Sequence, residues 1–307
     1  MVGSAHEAED LVQETLLRAW RSYDAFEWRA SIRSWLYTIA TNVCLNALEA
    51  SRRRRVLPSG LLGSQPGEGG ERRPHRARPG EASGEVAWLE PLPDRWISPA
   101  PDDPAATIVA RESLRLALIA SLQYLPARQR AIFLLREVLA FSADETSEVL
   151  GTSTAAVKSG LQRARARLEE IEPRPEQLLE PSDPRARALL DGYIAAFERS
   201  DAGLLVNVLR ADATLEATPF RDWQDGRANC IRLLASDVMG IPGDWHLIAT
   251  RANGQPAAVA YHRDVDGARR ARDLVVLAPT PSGVSRVVAF HDHAVVAMFG
   301  LPDTLAV

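Results

Sequence analysis

The first half of the chain contains two stretches in which apolar residues recur at steps of three and four, the spacing of one helix face. The first runs from residue 5 to about 54 and the second from about 104 to 170. The second predicts three helices, and the last two are joined by a short turn at Gly151. In the first stretch the repeating positions are Ala8, Leu11, Val12, Thr15, Ala19, Ile32, Leu36, Ile39 and Val43. We therefore predict two all-α units.

The C-terminal part of the chain follows a different pattern. A proline-rich joint at 172–184 precedes a predicted helix at about 185–199, and alternating β-branched segments then follow. Asn253 and Gly254 stand between two of these segments and predict a hairpin turn. We expect an α+β domain at 185–302.

Residues 56–104 separate the two helical units and break every periodicity. Their first part mixes Gly, Pro, Glu and Arg almost at random, which predicts a partly disordered linker. The later part, WLEPLPDRWISPAPDDP, keeps two tryptophans among prolines and acidic residues. We expect that part to be extended and to lie against another surface.

The composition is that of a globular protein with more than one domain, at 307 residues, 46% apolar and 25% charged. The sequence has neither a long apolar run nor a secretory leader, so we expect a cytoplasmic protein without a membrane span. Its two cysteines, Cys44 and Cys230, lie far apart and outside any Cys/His cluster. They predict small buried side chains, with no disulfide, no metal site and no cofactor.

The net charge of −4 disfavours nucleic acid as a partner, but the 36 basic residues are clustered. The predicted helix after Gly151 places Val157, Leu161 and Leu168 on one face. Its opposite face is polar and basic, as in a recognition helix that enters the major groove. That face consists of Thr154, Lys158, Ser159, Gln162, Arg163 and Arg165. The alternative is a plain three-helix bundle with a basic, solvated face.

The helix in FEWRASIRSWLYTIATNVCLNALEASRRRR has a second stripe beside its apolar one, made of Trp35, Thr38, Asn42 and Asn46. Asparagine can hydrogen-bond a base edge, and an aromatic ring can stack on an unpaired base. The arginines at 52–55 could contact the nucleic-acid backbone. Alternatively, Trp35 is the edge of a core and the arginines complement the negative end of the helix dipole.

Two segments of the sequence resemble a known family. HEAEDLVQETLLRAWR, followed by WRASIRSWLYTIATNVCLNALE, resembles region 2 of the sigma-70 family in its extracytoplasmic-function class. LPARQRAIFLLREVLAFSADETSEVLGTSTAAVKSGLQRARARL resembles region 4. The order, the spacing and WLEPLPD are similar to an actinobacterial subgroup with a C-terminal SnoaL-like domain. The match covers nearly the whole chain.

The resemblance implies a multidomain fold with two all-α domains and a C-terminal α+β cone of the SnoaL/NTF2-like type. Region 2 would occupy 1–55, with its first part missing, and helix-turn-helix region 4 would occupy 105–171. The missing part would leave the apolar side of residues 8–20 partly uncovered. The implied function is a sigma factor that binds core RNA polymerase and promoter DNA, and is not an enzyme.

The resemblance also assigns roles to particular residues. Those aligned with the polymerase contact are Asp10, Gln13 and Glu14. Those aligned with the minus 10 element are Phe26, Trp35, Thr38, Asn42, Asn46, Arg52 and Arg53, with Phe26 and Asn42 around one extruded base. The polar face of the helix from Thr154 to Arg167 would contact the minus 35 element. Glu90, Asp94, Asp102 and Asp103 in the linker could imitate a nucleic-acid strand on the polymerase.

The C-terminal domain is the part of the chain with the most alternative functions. Its candidate pocket residues are Trp223, His262 and His291, with Asp222, His246, Asp292 and His293 as further polar candidates. An Asp/His pair such as Asp292 with His291 or His293 could act as acid and base, although strand histidines are more often structural. We expect a regulatory module, able to replace an anti-sigma factor or to act beside one. The alternatives are a ligand-responsive regulator independent of polymerase and a SnoaL-type isomerase or cyclase fused to helices.

Overall fold

The computed structural model describes residues 1–26, 28, 31–51, 55–58, 86–96, 115–171, 177–220 and 223–305. The chain divides into two compact units, Met1–Arg55 with Pro99–Pro175 and Val56–Ser98 with Glu176–Val307. The predicted disordered part of the linker, the arginines at 52–54, Asp102, Asp103 and Asp222 lie outside the described residues. Among the described residues, no helix is long and apolar enough to cross a membrane.

The first unit begins with two helices that pack against each other, α1 (Ala5–Ser22) and α2 (Ile32–Ser51). Ser4 caps α1 by accepting a hydrogen bond from the backbone N–H of Glu7 at 3.0 Å, which satisfies one of the free donors of the first turn. A short 3-10 turn, Tyr23–Ala25, follows α1. Val43 is buried as predicted, but Ile32 is 43% exposed because it is the first residue of α2, at the margin of the packed surface.

In its described residues, the same unit contains four further helical segments. They are α3 (Leu116–Leu122), α4 (Ala127–Phe133, continued by a π turn at Leu134–Val138), α5 (Ala143–Val149) and α6 (Thr154–Ile171). The last three are the predicted helices, and α3 is an addition. Gly151 has φ +55 in the turn between α5 and α6, a left-handed conformation that favours glycine. The core here joins Ile132, Leu135, Phe141, Val157 and Leu161, with others.

The second unit is an α+β domain built on one curved sheet. The sheet has the strand order β2-β1-β6-β5-β4-β3, and β7 pairs with β5. The strands are β1 (Leu209–Thr218), β2 (Trp223–Asp225), β3 (Trp245–Ala252), β4 (Gln255–Arg263), β5 (Arg269–Thr280), β6 (Gly283–Phe290) and β7 (Thr304–Leu305). Its helices are α7 (Pro184–Glu198), α8 (Arg227–Leu233) and α9 (His293–Ala297). The predicted fold class, two helical domains with an α+β SnoaL-like cone, is confirmed.

Side chains of α7 and the sheet fill the interior of this domain. Tyr193 and Phe197 of α7 pack with Trp245, Leu247 and Leu277 of the strands in one core. Asn253 and Gly254 form the predicted turn between β3 and β4, with φ of +56 and +65. Both residue types tolerate these left-handed values, so the sequence favours the tight hairpin.

The linker segment at residues 86–96 lies against the tip of that hairpin. The backbone N–H of Leu92 donates to Oδ1 of Asn253 at 2.8 Å, and the N–H of Asn253 donates to the carbonyl of Leu92 at 2.9 Å. Oδ1 of Asp94 accepts from the N–H of Gly254 at 2.7 Å. The segment that the sequence predicts to lie against a surface therefore docks on the C-terminal domain.

Candidate nucleic-acid and polymerase surfaces

Helix α6 presents a polar, basic face to solvent and an apolar face to the core. Val157, Leu161 and Ala164 are buried, whereas Lys158, Gln162 and Arg163 are exposed. Lys158 is a cation that can bind a phosphate, and the amide of Gln162 has the donor and acceptor pair that distinguishes base edges. Within the described part of the chain, neither Lys158 nor Gln162 has a hydrogen-bond or ion-pair partner. These two side chains are therefore available to a ligand.

The other predicted residues of this face already have partners. Oγ1 of Thr154 donates to Oδ1 of Asp144 at 2.7 Å, which ties the start of α6 to α5. Nη1 of Arg163 donates to Oγ of Ser159 at 2.5 Å. The Arg165 guanidinium lies 2.8 Å from the Glu137 carboxylate. Exposed pairs of this kind contribute roughly 0–1 kcal/mol, so a phosphate can compete for the arginine.

Helix α2 exposes Asn42 and Asn46, while Trp35 and Thr38 are half-buried. Thr38 donates its hydroxyl to the carbonyl of Ser34 at 2.8 Å, so the hydroxyl is engaged within the helix. Within the described residues, Asn42 and Asn46 have no hydrogen-bond partner for their side chains, so they are the available polar groups of the predicted stripe.

Four aromatic rings gather at the start of α2. The ring centres of Phe26 and Trp35 are 4.7 Å apart, and those of Phe26 and Trp28 are 5.0 Å apart. Tyr23 approaches both tryptophans at 6.5 Å. Trp28 is 64% exposed and has φ +57, a strained value for a bulky residue. Sequence reasoning missed Tyr23 and Trp28, although aromatic residues flanking Phe26 were a signal that could have found them.

Helix α1 exposes Asp10 and Gln13, and Glu14 accepts a hydrogen bond from Nε of Arg18 at 2.7 Å. The surface beside them is apolar. Its exposed members are Val12, Leu16, Leu17 and Trp20, the last at 82%. Scattered apolar side chains on a surface are ordinary, but four on one helix form a patch suited to a protein partner.

Comparison with known proteins shows which family the chain belongs to. Residues 1–54 match Sigma-70 region 2, and residues 115–168 match Sigma-70, region 4. The ECF RNA polymerase sigma factor SigG of Mycobacterium tuberculosis is 46% identical over 307 residues, covering 99% of this chain and 80% of SigG. The chain belongs to the extracytoplasmic-function class of sigma-70 factors. It is a transcription initiation factor that binds core RNA polymerase and promoter DNA, and it is not an enzyme.

A solved structure in the same class shares the fold across the whole chain. The crystal structure of Mycobacterium tuberculosis extracytoplasmic function sigma factor SigJ matches with a TM-score of 0.60 at 22% identity. The match covers 98% of this sigma factor and 93% of SigJ. The C-terminal sheet domain thus has its counterpart in another sigma factor.

Helix α2 of this sigma factor has a third face that sequence reasoning missed. Arg33, Tyr37, Thr41 and Leu45 follow one another at steps of four, and Tyr37 and Leu45 pack against the region 4 core. Thr41 is buried. Nη2 of Arg33 donates to the carbonyl of Leu139 in region 4 at 2.7 Å. Regions 2 and 4 therefore share an interface. Periodicity alone could not assign it, because this face mixes polar and apolar residues beside a wholly apolar one.

The basic end of α2 is described only in part. Arg52 and Arg53, predicted to contact minus 10 DNA, lie outside the described residues. Arg55 forms an ion pair with Glu7 at 3.1 Å. That pair gives Arg55 a partner within region 2, so its guanidinium is less available to a phosphate than the sequence suggested.

The pocket residues predicted in the SnoaL-like domain lie on different parts of the sheet. Trp223 lies on edge strand β2 and His262 on β4, four strands away in the sheet order. His262 packs edge-on against Trp245 at 4.7 Å. His291 Nδ1 lies 2.7 Å from Oδ1 of Asp273. Each residue therefore has its own local environment.

The remaining polar candidates also have structural partners. Asp292 caps α9 by accepting from the N–H of Ala294 at 2.8 Å, so it is not the partner of a neighbouring histidine. His246 lies 2.8 Å from Glu198. Burial raises the pKa of Cys230 to about 11, which keeps it a neutral thiol. In the described ranges, no cluster of His, Cys, Asp or Glu is arranged to hold a metal ion.

Proposed function

We propose that the aromatic cluster and Asn42 capture an unpaired base of the minus 10 element. Trp28 and Tyr23 offer exposed ring faces on which a base can stack, and Asn42 offers a free amide on the neighbouring helix. Phe26 and Trp35 stack on each other, so their role is to support the exposed rings rather than to enclose the base. Stacking stabilises a bound base by about 1–3 kcal/mol, comparable to the cost of unstacking it.

Helix α6 is proposed to enter the major groove of the minus 35 element. Lys158 and Arg163 would contact phosphates, and Gln162 would contact a base edge. Arg165 joins them when a phosphate displaces Glu137. Lys158 and Gln162 lie on a helix-turn-helix and have no hydrogen-bond or ion-pair partner within the described residues, which supports this assignment.

The exposed surface of α1 is proposed to bind the polymerase clamp. Asp10 and Gln13 would supply polar contacts, and Leu17 and Trp20 on the same side would supply apolar area. A mixed surface of this kind suits a protein partner better than it suits DNA, whose phosphates would repel Asp10.

The contact between regions 2 and 4 implies a rearrangement before both promoter elements can be bound. Tyr37 and Leu45 of α2 pack against a core that includes Val157 and Leu161 of α6. Elements centred roughly 25 base pairs apart are separated by about 85 Å of duplex, at about 3.4 Å per base pair. Two helices that pack on one core are separated by roughly 10–20 Å. We therefore propose that the regions separate on the polymerase.

The SnoaL-like domain is proposed to regulate that separation through the linker. Residues 86–96 belong to the chain segment that joins regions 2 and 4, and they are held by Asn253 and Gly254. Docking shortens the free part of the linker, and release lengthens it. We place this activity in the cytoplasm, where core polymerase is found, and an anti-sigma partner stays a prediction.

Transcription reconstituted from the purified chain, core RNA polymerase and a promoter library tests the central proposal. We expect transcripts from a subset of promoters that share minus 10 and minus 35 elements. DNA binding without polymerase-dependent transcripts would instead favour an independent helix-turn-helix regulator. Turnover of a small molecule without transcripts would favour a SnoaL-type enzyme.

A further inference from the structure

A cavity of about 410 Å³ lies where the linker meets the SnoaL-like domain. One wall is the linker itself, at Pro93, Asp94 and Arg95. The opposite walls come from α7, from β3 and from the residues after α9. Its volume lies in the range of small-molecule sites, which also tend to form between separate structural elements.

The lining combines positive charge with apolar surface. Among the described residues, the lining contains three arginines, Arg95, Arg187 and Arg251. Within the same described lining, Asp94 is the one carboxylate, and its Oδ1 accepts the N–H of Gly254. The arginines therefore outnumber the acids, and the cavity favours an anion.

The three arginines differ in how strongly they are already engaged. Arg95 donates to the carbonyl of Met298, which anchors the linker, and Arg187 donates to the carbonyl of Ser182 at 3.2 Å. Arg251 on β3 has no hydrogen-bond or ion-pair partner in the described part of the structure, and the same holds for the hydroxyl of Thr250. Arg251 is thus free to meet a ligand from β3, and Arg187 has donors left to meet it from α7.

The apolar part of the lining limits what the anion can be. Leu190, Pro256 and Phe299 supply hydrocarbon and aromatic surface next to the arginines. A bare inorganic ion would leave this surface uncovered, whereas an aromatic or aliphatic body would bury it. A phosphate or carboxylate head can accept two parallel hydrogen bonds from a guanidinium.

We propose that this cavity binds a small organic oxyanion, a phosphate or carboxylate head on a compact apolar body. Because the linker forms one wall, the complete site exists only while the linker is docked. A ligand that binds the docked state alone stabilises that state by mass action. Ligand binding therefore tightens the linker on the domain.

Calorimetric titration of the full chain with phenyl phosphate and with phenylacetate tests the site. We expect at least one to bind saturably, and roughly ten-fold or more weakly to an Arg187→Gln/Arg251→Gln double variant, because the variant lacks both charged donors. Both arginines are exposed, so the variant should fold. Arg210→Gln is the matched control, because Arg210 is paired with Asp212 and does not line the cavity.

A second measurement tests whether ligand binding tightens the linker on the domain. Amide exchange at Asn253 and Gly254 should slow when ligand is added, because their N–H groups hold the linker. The absence of saturable binding by both probes would overturn the proposal, as would an equal loss in Arg210→Gln. Phenol or inorganic phosphate binding as tightly as the probes would show that the site does not require an anion joined to an apolar body.

Discussion

The guanidinium of Arg33 in region 2 lies over the ring of Phe141 in region 4, with its carbon 4.6 Å from the ring centre. The same group donates to the carbonyl of Leu139, and Tyr37 packs edge-on against Phe141 at 5.2 Å. One side chain of α2 thus makes both a hydrogen bond and a cation–π contact across the interface between the two DNA-binding regions.

Arg33→Ala should loosen that interface. The lost contacts contribute on the order of 1–2 kcal/mol together, so the separated state should become several-fold more populated. Small-angle scattering of the free protein should show a larger radius of gyration. Arg18→Ala, which removes an exposed pair with Glu14 on α1, is the control and should change nothing. An unchanged radius in Arg33→Ala would argue against the proposed rearrangement.

Asn42→Ala should slow promoter opening while leaving polymerase binding intact, because Asn42 is exposed on α2 and distant in sequence from the α1 surface. Trp28→Ala should act in the same way, by roughly ten-fold, from the loss of a stacking surface. Permanganate reactivity of minus 10 thymines measures opening, and fluorescence anisotropy measures polymerase binding. Equal loss of both activities would contradict the base-capture role.

Glu137→Gln should raise affinity for minus 35 duplex by a few-fold, because it releases Arg165 from a 2.8 Å ion pair. The salt dependence should also steepen by about one phosphate contact. Glu148 is exposed on α5, and Glu148→Gln removes one negative charge as Glu137→Gln does, so it controls for net charge. If both variants gain affinity equally, Arg165 does not reach DNA.

Glu145 should make the start of α5 sensitive to acid. Its carboxylate accepts the backbone N–H of Ser142 at 2.6 Å, and this hydrogen bond lowers its pKa. A lowered folded-state pKa means that the stabilisation is present above about pH 4, the unfolded value, and is lost as pH falls through the folded value. Glu145→Gln keeps the capping box without a titrating group. The protection factors of the α5 amides, which are corrected for the slower intrinsic exchange at low pH, should therefore fall on acidification more in the parent than in the variant.

Asn253→Gly should release the linker without disturbing the hairpin. Glycine accepts the φ of +56 at this position, so the variant loses chiefly the side-chain hydrogen bond to Leu92. Transcription output should change by several-fold in either direction. Asn229→Gly on α8 removes an exposed side-chain hydrogen bond to the carbonyl of Asp225. This variant is a control for general destabilisation. Identical output from the parent and Asn253→Gly would remove the regulatory role of docking.

Residue patterns alone were enough to predict the helix-turn-helix and the hairpin at Asn253-Gly254, together with the order of the domains. These depend on local signals, namely helical periodicity and residues that accept a left-handed turn, and the chain near each residue supplies them. Sequence similarity was likewise enough to assign the family, since each sigma region matches its own family model.

The packing of the folded chain was needed to show which face of α2 meets region 4. It also showed that Trp28 and Tyr23 lie with Phe26 and Trp35. It also separated Trp223 from His262 and brought Arg95 together with Arg187 and Arg251. The reason is physical: these relationships join residues far apart in sequence, and packing between elements fixes them. A periodic pattern records that a face is buried, but it does not record which partner buries it.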